Sequence, residues 1–352
     1  MAYLTFDGIG ISGLAAAVPK KVIDNYNYTE HFPKEDVKDV VDKVGVLERR
    51  FTDENTTSSD LCYAAADQLL NDMEIDRASV DVLLFVSQTP DYKMPATAII
   101  LQDRLGLPKT TMAYDINMGC SGFIHGLSIA YSYLQQPAIN RVLLLDGETR
   151  SKVYSPKDRK TAFIFGDAGV AALIEKKADF GSSFMSINSD GSRSHLIRID
   201  AGAYRNPSTP ETLKEKVVDE YGNMRSEEQG YMNGPDVFSF LNREVPKDIK
   251  SLLEGSETSR EEIDYWVFHQ ANSFMNQYLL KKLKLDSDIV PSSIEKFGNT
   301  SSVSIPLTIV YRLQEELKTR KKLLLSGFGV GMSWASAILN FDKCYIPEII
   351  EI

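Results

Sequence analysis

Three side chains far apart in the chain have the types that acyl chemistry needs: Cys120 in "NMGCSGF", His269 in "VFHQAN" and Asn299 in "FGNTSS". The apolar run Ala113–Ile116 reads as the end of a buried strand, and after it Phe123, Leu127, Tyr131 and Leu134 recur at the spacing that lines one helix face. Cys120 therefore falls at the first turn of a helix. Unpaired backbone N–H groups and the positive end of the macrodipole there favour a thiolate, the form that attacks a carbonyl carbon. The other reading of Cys120 is a small, inert, buried thiol. His269 ends an apolar strand, where an imidazole stays neutral in a partly dry site and exchanges one hydrogen bond, as a structural histidine also would. Asn299 precedes a run of small hydroxyl residues and offers either an amide donor or a helix cap.

The elements that must hold these residues repeat. Apolar, β-rich runs alternate with helical patterns, as in an α/β protein whose strands are buried on both faces. "VDVLLFVSQTPDY" (Val80–Tyr92) and "IDYWVFHQANSF" (Ile263–Phe274) each carry an acid, an apolar strand and a glutamine-containing turn, and each is followed by a helix and a further strand. The chain reads as two duplicated halves, 1–180 with the cysteine and 181–352 with the histidine and asparagine, related by a pseudo-twofold that brings the three residues to the seam. The segment 201–235 breaks the pattern: it is polar and rich in Pro, Gly, Glu and Asn, as a functional loop, a mobile cap or a plain surface insertion would be.

Composition narrows the function classes. With 352 residues, 43% apolar and 25% charged, the chain is long enough for two domains around a large core. A formal charge of −10 argues against nucleic acid as the main partner. Cys62, Cys120 and Cys344 form no paired motif, and with few clustered histidines no metal site is expected; a reducing cytosol fits best. The start "MAYLTFDGIGISGLAAAVPKK" lacks the pattern of a signal peptide, and no apolar run has the length of a membrane span.

Five ordered motifs, "GCSGF" at Cys120, "FGDAG" at Phe165–Gly169, "HQAN" at His269–Asn272, "GNTSS" at Gly298–Ser302 and "GFGVGMSW" at Gly327–Trp334, make the chain resemble the β-ketoacyl-acyl-carrier-protein synthase III family of thiolase-fold condensing enzymes. The resemblance implies a five-layered αβαβα fold and a decarboxylating Claisen condensation in fatty-acid or related acyl-chain synthesis. Cys120 would take an acyl group from an acyl-CoA primer. His269 and Asn299 would then hold the enolate formed from malonyl-acyl carrier protein. The backbone N–H groups of Cys120 and Val330 would form a second oxyanion hole. It further implies substrate contacts at Arg159, Met94 and Phe328, Met94 reaching across a homodimer interface to the partner's acyl pocket, and carrier docking at Lys281 and Lys282. No cofactor beyond the substrates is expected, and the chain departs from the family at Asp39, Pro235 and Phe274. Read without a chemical role, "FGDAG" is a tight turn between strands. Two alternatives keep the fold: a condensing enzyme of a specialised pathway, and a catalytically idle subunit of a heterodimer.

Overall fold

The computed structural model describes residues 2–352. Its main strands in chain order are β1 (Ala2–Asp7), β2 (Ile9–Val18), β3 (Val82–Val86), β4 (Met112–Ile116), β5 (Arg141–Thr149), β6 (Asp167–Lys176), β7 (Ser182–Ser189), β8 (Tyr265–Phe268), β9 (Lys321–Gly329), β10 (Ser333–Phe341) and β11 (Ile350–Glu351). They form two mixed sheets, ordered β11-β2-β6-β5-β3-β4 and β1-β7-β10-β9-β8. The helices that cover them are α1 (Ser58–Asp72), α2 (Thr97–Arg104), α3 (Gly122–Leu134), α4 (Gly234–Gly255), α5 (Ser273–Leu283) and α6 (Ser304–Arg312).

The strands β2, β3, β5 and β6 have apolar middles on both faces because helices cover both faces of their sheet. The shared layer between the sheets is α3 and α6. Phe123, Ile124, Leu127, Ala130 and Tyr131 of α3 are all fully buried and lie on one broad face, as the i, i+4 spacing indicates, while Ser132 on the far side is exposed. The outer helices are one-sided: α1 turns Leu61, Ala65 and Leu69 to the first sheet, and α4 turns Val237, Leu241 and Leu252 to the second. Outer helix, sheet, paired helices, sheet and outer helix make the five-layered thiolase-like fold, in which β2, β3, β5 and β6 correspond to β7, β8, β9 and β10. The two sequence-similar stretches are thus β3 and β8 with the turns that follow them. Residue 180 lies between β6 and β7, but β1 joins the second sheet and β11 the first, so both chain ends cross between the halves.

One sequence expectation needs correction. The strand β4, read as buried, is half-exposed along its length because it is the outermost strand of its sheet. The segment 201–235 is built and not loose. Lys216–Val217 pairs with Met224–Arg225, and Tyr231–Met232 pairs with Ile197–Arg198. Arg225 bonds Asp158 at 3.0 Å, and Lys157 bonds Glu215 at 2.6 Å.

Candidate active site

The turn after β4 delivers Cys120 two residues ahead of the first residue of α3, just outside the helix and not within its first turn. The thiol is reached through a cavity of about 910 Å³ that it shares with His269, Asn299, Phe328 and Val330. The glycine series of the last hairpin permits this packing. A Cβ on Gly329 would stand 2.5 Å from Cys120 Sγ, and one on Gly327 would stand 2.8 Å from the Cys120 carbonyl oxygen. The Cys120 N–H donates to no described residue, an uncommon state for a backbone donor in a folded interior.

Burial pushes the Cys120 thiol up. The charge and hydrogen bond of the His269 imidazole, the Val330 N–H and the more distant Arg150 guanidinium together outweigh burial and bring it down to about 7. The other two cysteines have no such neighbours: burial drives Cys62 far up and Cys344 to about 12.

His269 is held from behind. Its Nδ1 lies 2.7 Å from Ser304 Oγ, which also accepts from the Gln270 N–H at 3.2 Å. In the neutral ring, a Ser304 hydroxyl that donates to Nδ1 leaves the proton on Nε2, the nitrogen free to donate into the cavity. Phe328 packs edge-on against the ring, with centroids 5.5 Å apart. The rest of "HQAN" builds the support: Gln270 Nε2 donates to Phe268 O, Ala271 O accepts from Asn299 Nδ2 at 3.3 Å, and Asn272 caps α5 through the Met275 N–H.

Asn299 is fixed by both ends of its amide, since its Oδ1 accepts from the Ser301 N–H at 2.8 Å. Its backbone is clamped to the "FGDAG" stretch by Asn299 N to Ile164 O at 2.8 Å and Gly166 N to Asn299 O at 3.1 Å. That stretch is therefore not a tight turn between strands. It leads into β6 and pins the asparagine, and only glycine fits at Gly166, where a Cβ would meet Phe297 O at 2.3 Å.

The peripheral residues are placed less uniformly. Arg159 lies apart from the residues around the cavity, paired with Asp36 at 2.6 Å and 5.6 Å from the Phe32 ring. Met94 is 75% exposed and turned away from its own chain's cavity. Lys281 and Lys282 are exposed on the last turn of α5, with Lys282 donating to Asn242 O. Pro235 and Phe274 both reach the cavity, and Asp39 is exposed on the helix Lys34–Val44.

Sequence reasoning missed the charged floor of the cavity. Arg150 Nη2 bonds Glu148 at 3.0 Å, beside Gln88 and Ser301. Glu148 is fully buried, and burial raises its carboxyl pKa against the opposing pull of Arg150. Burial likewise drives the Asp146 carboxyl far up, against the Ser302 hydroxyl that donates to it at 2.6 Å. The signal was available in "LLLDGETR", where acids and an arginine close a strand otherwise apolar from end to end.

Comparison with known proteins gives a consistent picture. The family models described as 3-Oxoacyl-[acyl-carrier-protein (ACP)] synthase III and its C-terminal region match residues 114–191 and 253–341. A Campylobacter jejuni relative with a provisional 3-oxoacyl-[acyl-carrier-protein] synthase 3 name is 37% identical over 351 residues, covering 98% of this chain and 97% of its own. A Clostridioides difficile beta-ketoacyl-[acyl-carrier-protein] synthase III is 32% identical, covering 94% and 98%. The crystal structure of a 3-oxoacyl-(acyl-carrier protein) synthase from Burkholderia xenovorans superposes with a TM-score of 0.93 at 38% identity, covering 100% of this chain and 99% of that one.

Proposed function

The chain belongs to the 3-oxoacyl-[acyl-carrier-protein] synthase III family, and from that premise we propose how its own residues carry the reaction. The protein is an acyltransferase that joins an acyl-CoA primer to a malonyl thioester by decarboxylating Claisen condensation. In our reading the Cys120 thiolate attacks the primer carbonyl, a new C–S bond forms, the bond to the coenzyme A sulfur breaks, and the coenzyme leaves as its thiol after taking a proton. The malonyl thioester then loses carbon dioxide. The electron pair of the broken C–C bond moves onto the thioester oxygen, which accepts from His269 Nε2–H and Asn299 Nδ2–H. The enolate carbon attacks the acyl-Cys120 carbonyl, whose oxygen is held by the N–H groups of Cys120 and Val330. Collapse frees the Cys120 thiolate and a 3-oxoacyl product.

The observation that carries this reading is that Cys120, His269 and Asn299, from both halves of the chain, open into one cavity. The scheme needs no cofactor beyond the two thioesters. Carrier docking at Lys281 and Lys282 is supported by their exposure on the last turn of α5, the helix whose first turn carries the cavity residue Phe274. A homodimer is supported by the unpaired edge of β4 and by exposed Tyr92, Met94, Ile99 and Met112 near it. A reducing cytosol suits three unpaired cysteines, and among the described residues no helix is long and apolar enough to cross a membrane. The test is mass spectrometry after incubation with acyl-CoA. An acyl adduct confined to Cys120, and its conversion to a 3-oxoacyl product on adding malonyl-acyl carrier protein, are expected. No adduct, or one elsewhere, overturns the reading.

A further inference from the structure

Transfer of a plain alkyl primer does not explain the floor of the cavity. Arg150 is 6% exposed and faces the space shared with Cys120 and Asn299. All of its hydrogen bonds leave from one nitrogen: Nη2 donates to Gln88 Oε1 at 2.7 Å, to Ser301 Oγ at 2.8 Å and to Glu148 Oε1 at 3.0 Å. Its Nε is buried with no partner, and Nη1 donates to none of the described residues. A buried donor left unpaired is destabilising, the more so when it is charged.

The place of these idle donors is informative. Gln88 Oε1, held by Arg150, lies 2.5 Å from where a Cβ on Gly119 would stand, next to the nucleophile. Ser301, held by the same nitrogen, donates its N–H to Asn299 Oδ1. Arg150 thus ties the residues beside the cysteine turn to the asparagine turn and lines the same cavity as Cys120. Glu148 balances its charge and is itself satisfied by the Gln88 N–H at 3.2 Å and Thr89 Oγ1 at 3.0 Å. Nε is sealed among protein atoms, so the free donor left to the cavity is Nη1 on a guanidinium balanced by Glu148, which suits an oxygen acceptor and disfavours bare hydrocarbon.

We propose that Arg150 selects the primer: the acyl group transferred to Cys120 carries an acceptor oxygen beyond its thioester carbonyl, and this oxygen accepts from Arg150 Nη1. This rests on the acyl-transfer reading above and names its substrate class, an oxygenated acyl thioester. The oxygen belongs to a hydroxyl or to a carboxylate.

Initial rates of Cys120 acylation by butyryl-, 3-hydroxybutyryl- and succinyl-CoA, read by intact-protein mass spectrometry, test this at constant chain length. At least one oxygenated thioester is expected to outpace butyryl-CoA by about 10- to 100-fold. A winning 3-hydroxybutyryl group assigns a neutral acceptor, and a winning succinyl group a carboxylate. The paired variant Arg150→Met with Glu148→Gln, which leaves no unpaired buried charge, is expected to shift the preference to butyryl-CoA. Equal wild-type rates for all three thioesters, or the wild-type ratios surviving in the paired variant, overturn the proposal. Failure of all three to acylate Cys120 sinks the acyl-transfer reading itself and the inference with it.

Discussion

A thiol as enclosed as Cys120 would ordinarily be protonated at neutral pH. Burial is the largest influence on it, and His269, Val330 and Arg150 together reverse it to about 7. Because the shift is downward, the thiolate dominates above about pH 7 and is lost as pH falls below it. Alkylation of Cys120 by iodoacetamide should rise through that midpoint and level off, while Cys62 and Cys344 stay unlabelled in the folded protein. In His269→Ala the midpoint should move upward, since burial remains and its main counterweight is gone; an unmoved midpoint would show that the imidazole is not what activates the sulfur. Ser304→Ala should slow malonyl decarboxylation roughly tenfold by releasing the ring proton from Nε2, with little change in Cys120 acylation. The three residues were legible because their neighbours are ordered motifs. Ser304 and Arg150 were not, since a serine entering a helix and an arginine closing a strand acquire meaning only from what faces them.

At the scale of elements, the site is a meeting of turns pressed closer than side chains allow. Gly329 has φ +157 and backs directly onto Cys120 Sγ, so Gly329→Ala should displace the sulfur or the hairpin. Acylation is expected to collapse in this variant while thermal unfolding shifts by only about 1–3 kcal/mol, the usual cost of an overpacked methyl group. Wild-type acylation in Gly329→Ala would mean that the close approach has no bearing on the nucleophile. The duplicated β3 and β8 could be read from sequence because strands buried on both faces leave continuous apolar runs. The exposure of β4 could not be read, because a short apolar stretch looks alike at the centre and at the edge of a sheet. Nor could the pairing of residues 216–217 with 224–225 be foreseen, as two-residue ladders leave no periodicity.

Across the whole molecule, two sheets carry complementary parts of one reaction, and the shared α3–α6 layer fixes their separation. The edge at β4 leaves Met112 40% exposed, and Met94 and Tyr92 are exposed as well. The protein should sediment as a dimer, and Met112→Lys should shift it toward monomer; a monomeric wild type would remove Met94 from any partner's pocket. Chain-end crossing of β1 and β11 between the sheets was not foreseen, since nothing in a six-residue and a two-residue strand names the sheet it joins. The central claim is a division of labour within one cavity, and Asn299→Ala tests it most directly because this side chain is not among the groups that tune the thiol. Side-by-side assays of Cys120 acylation and of carbon dioxide release from the malonyl thioester should show acylation near wild type and decarboxylation lost. Lost acylation with decarboxylation intact would contradict the account.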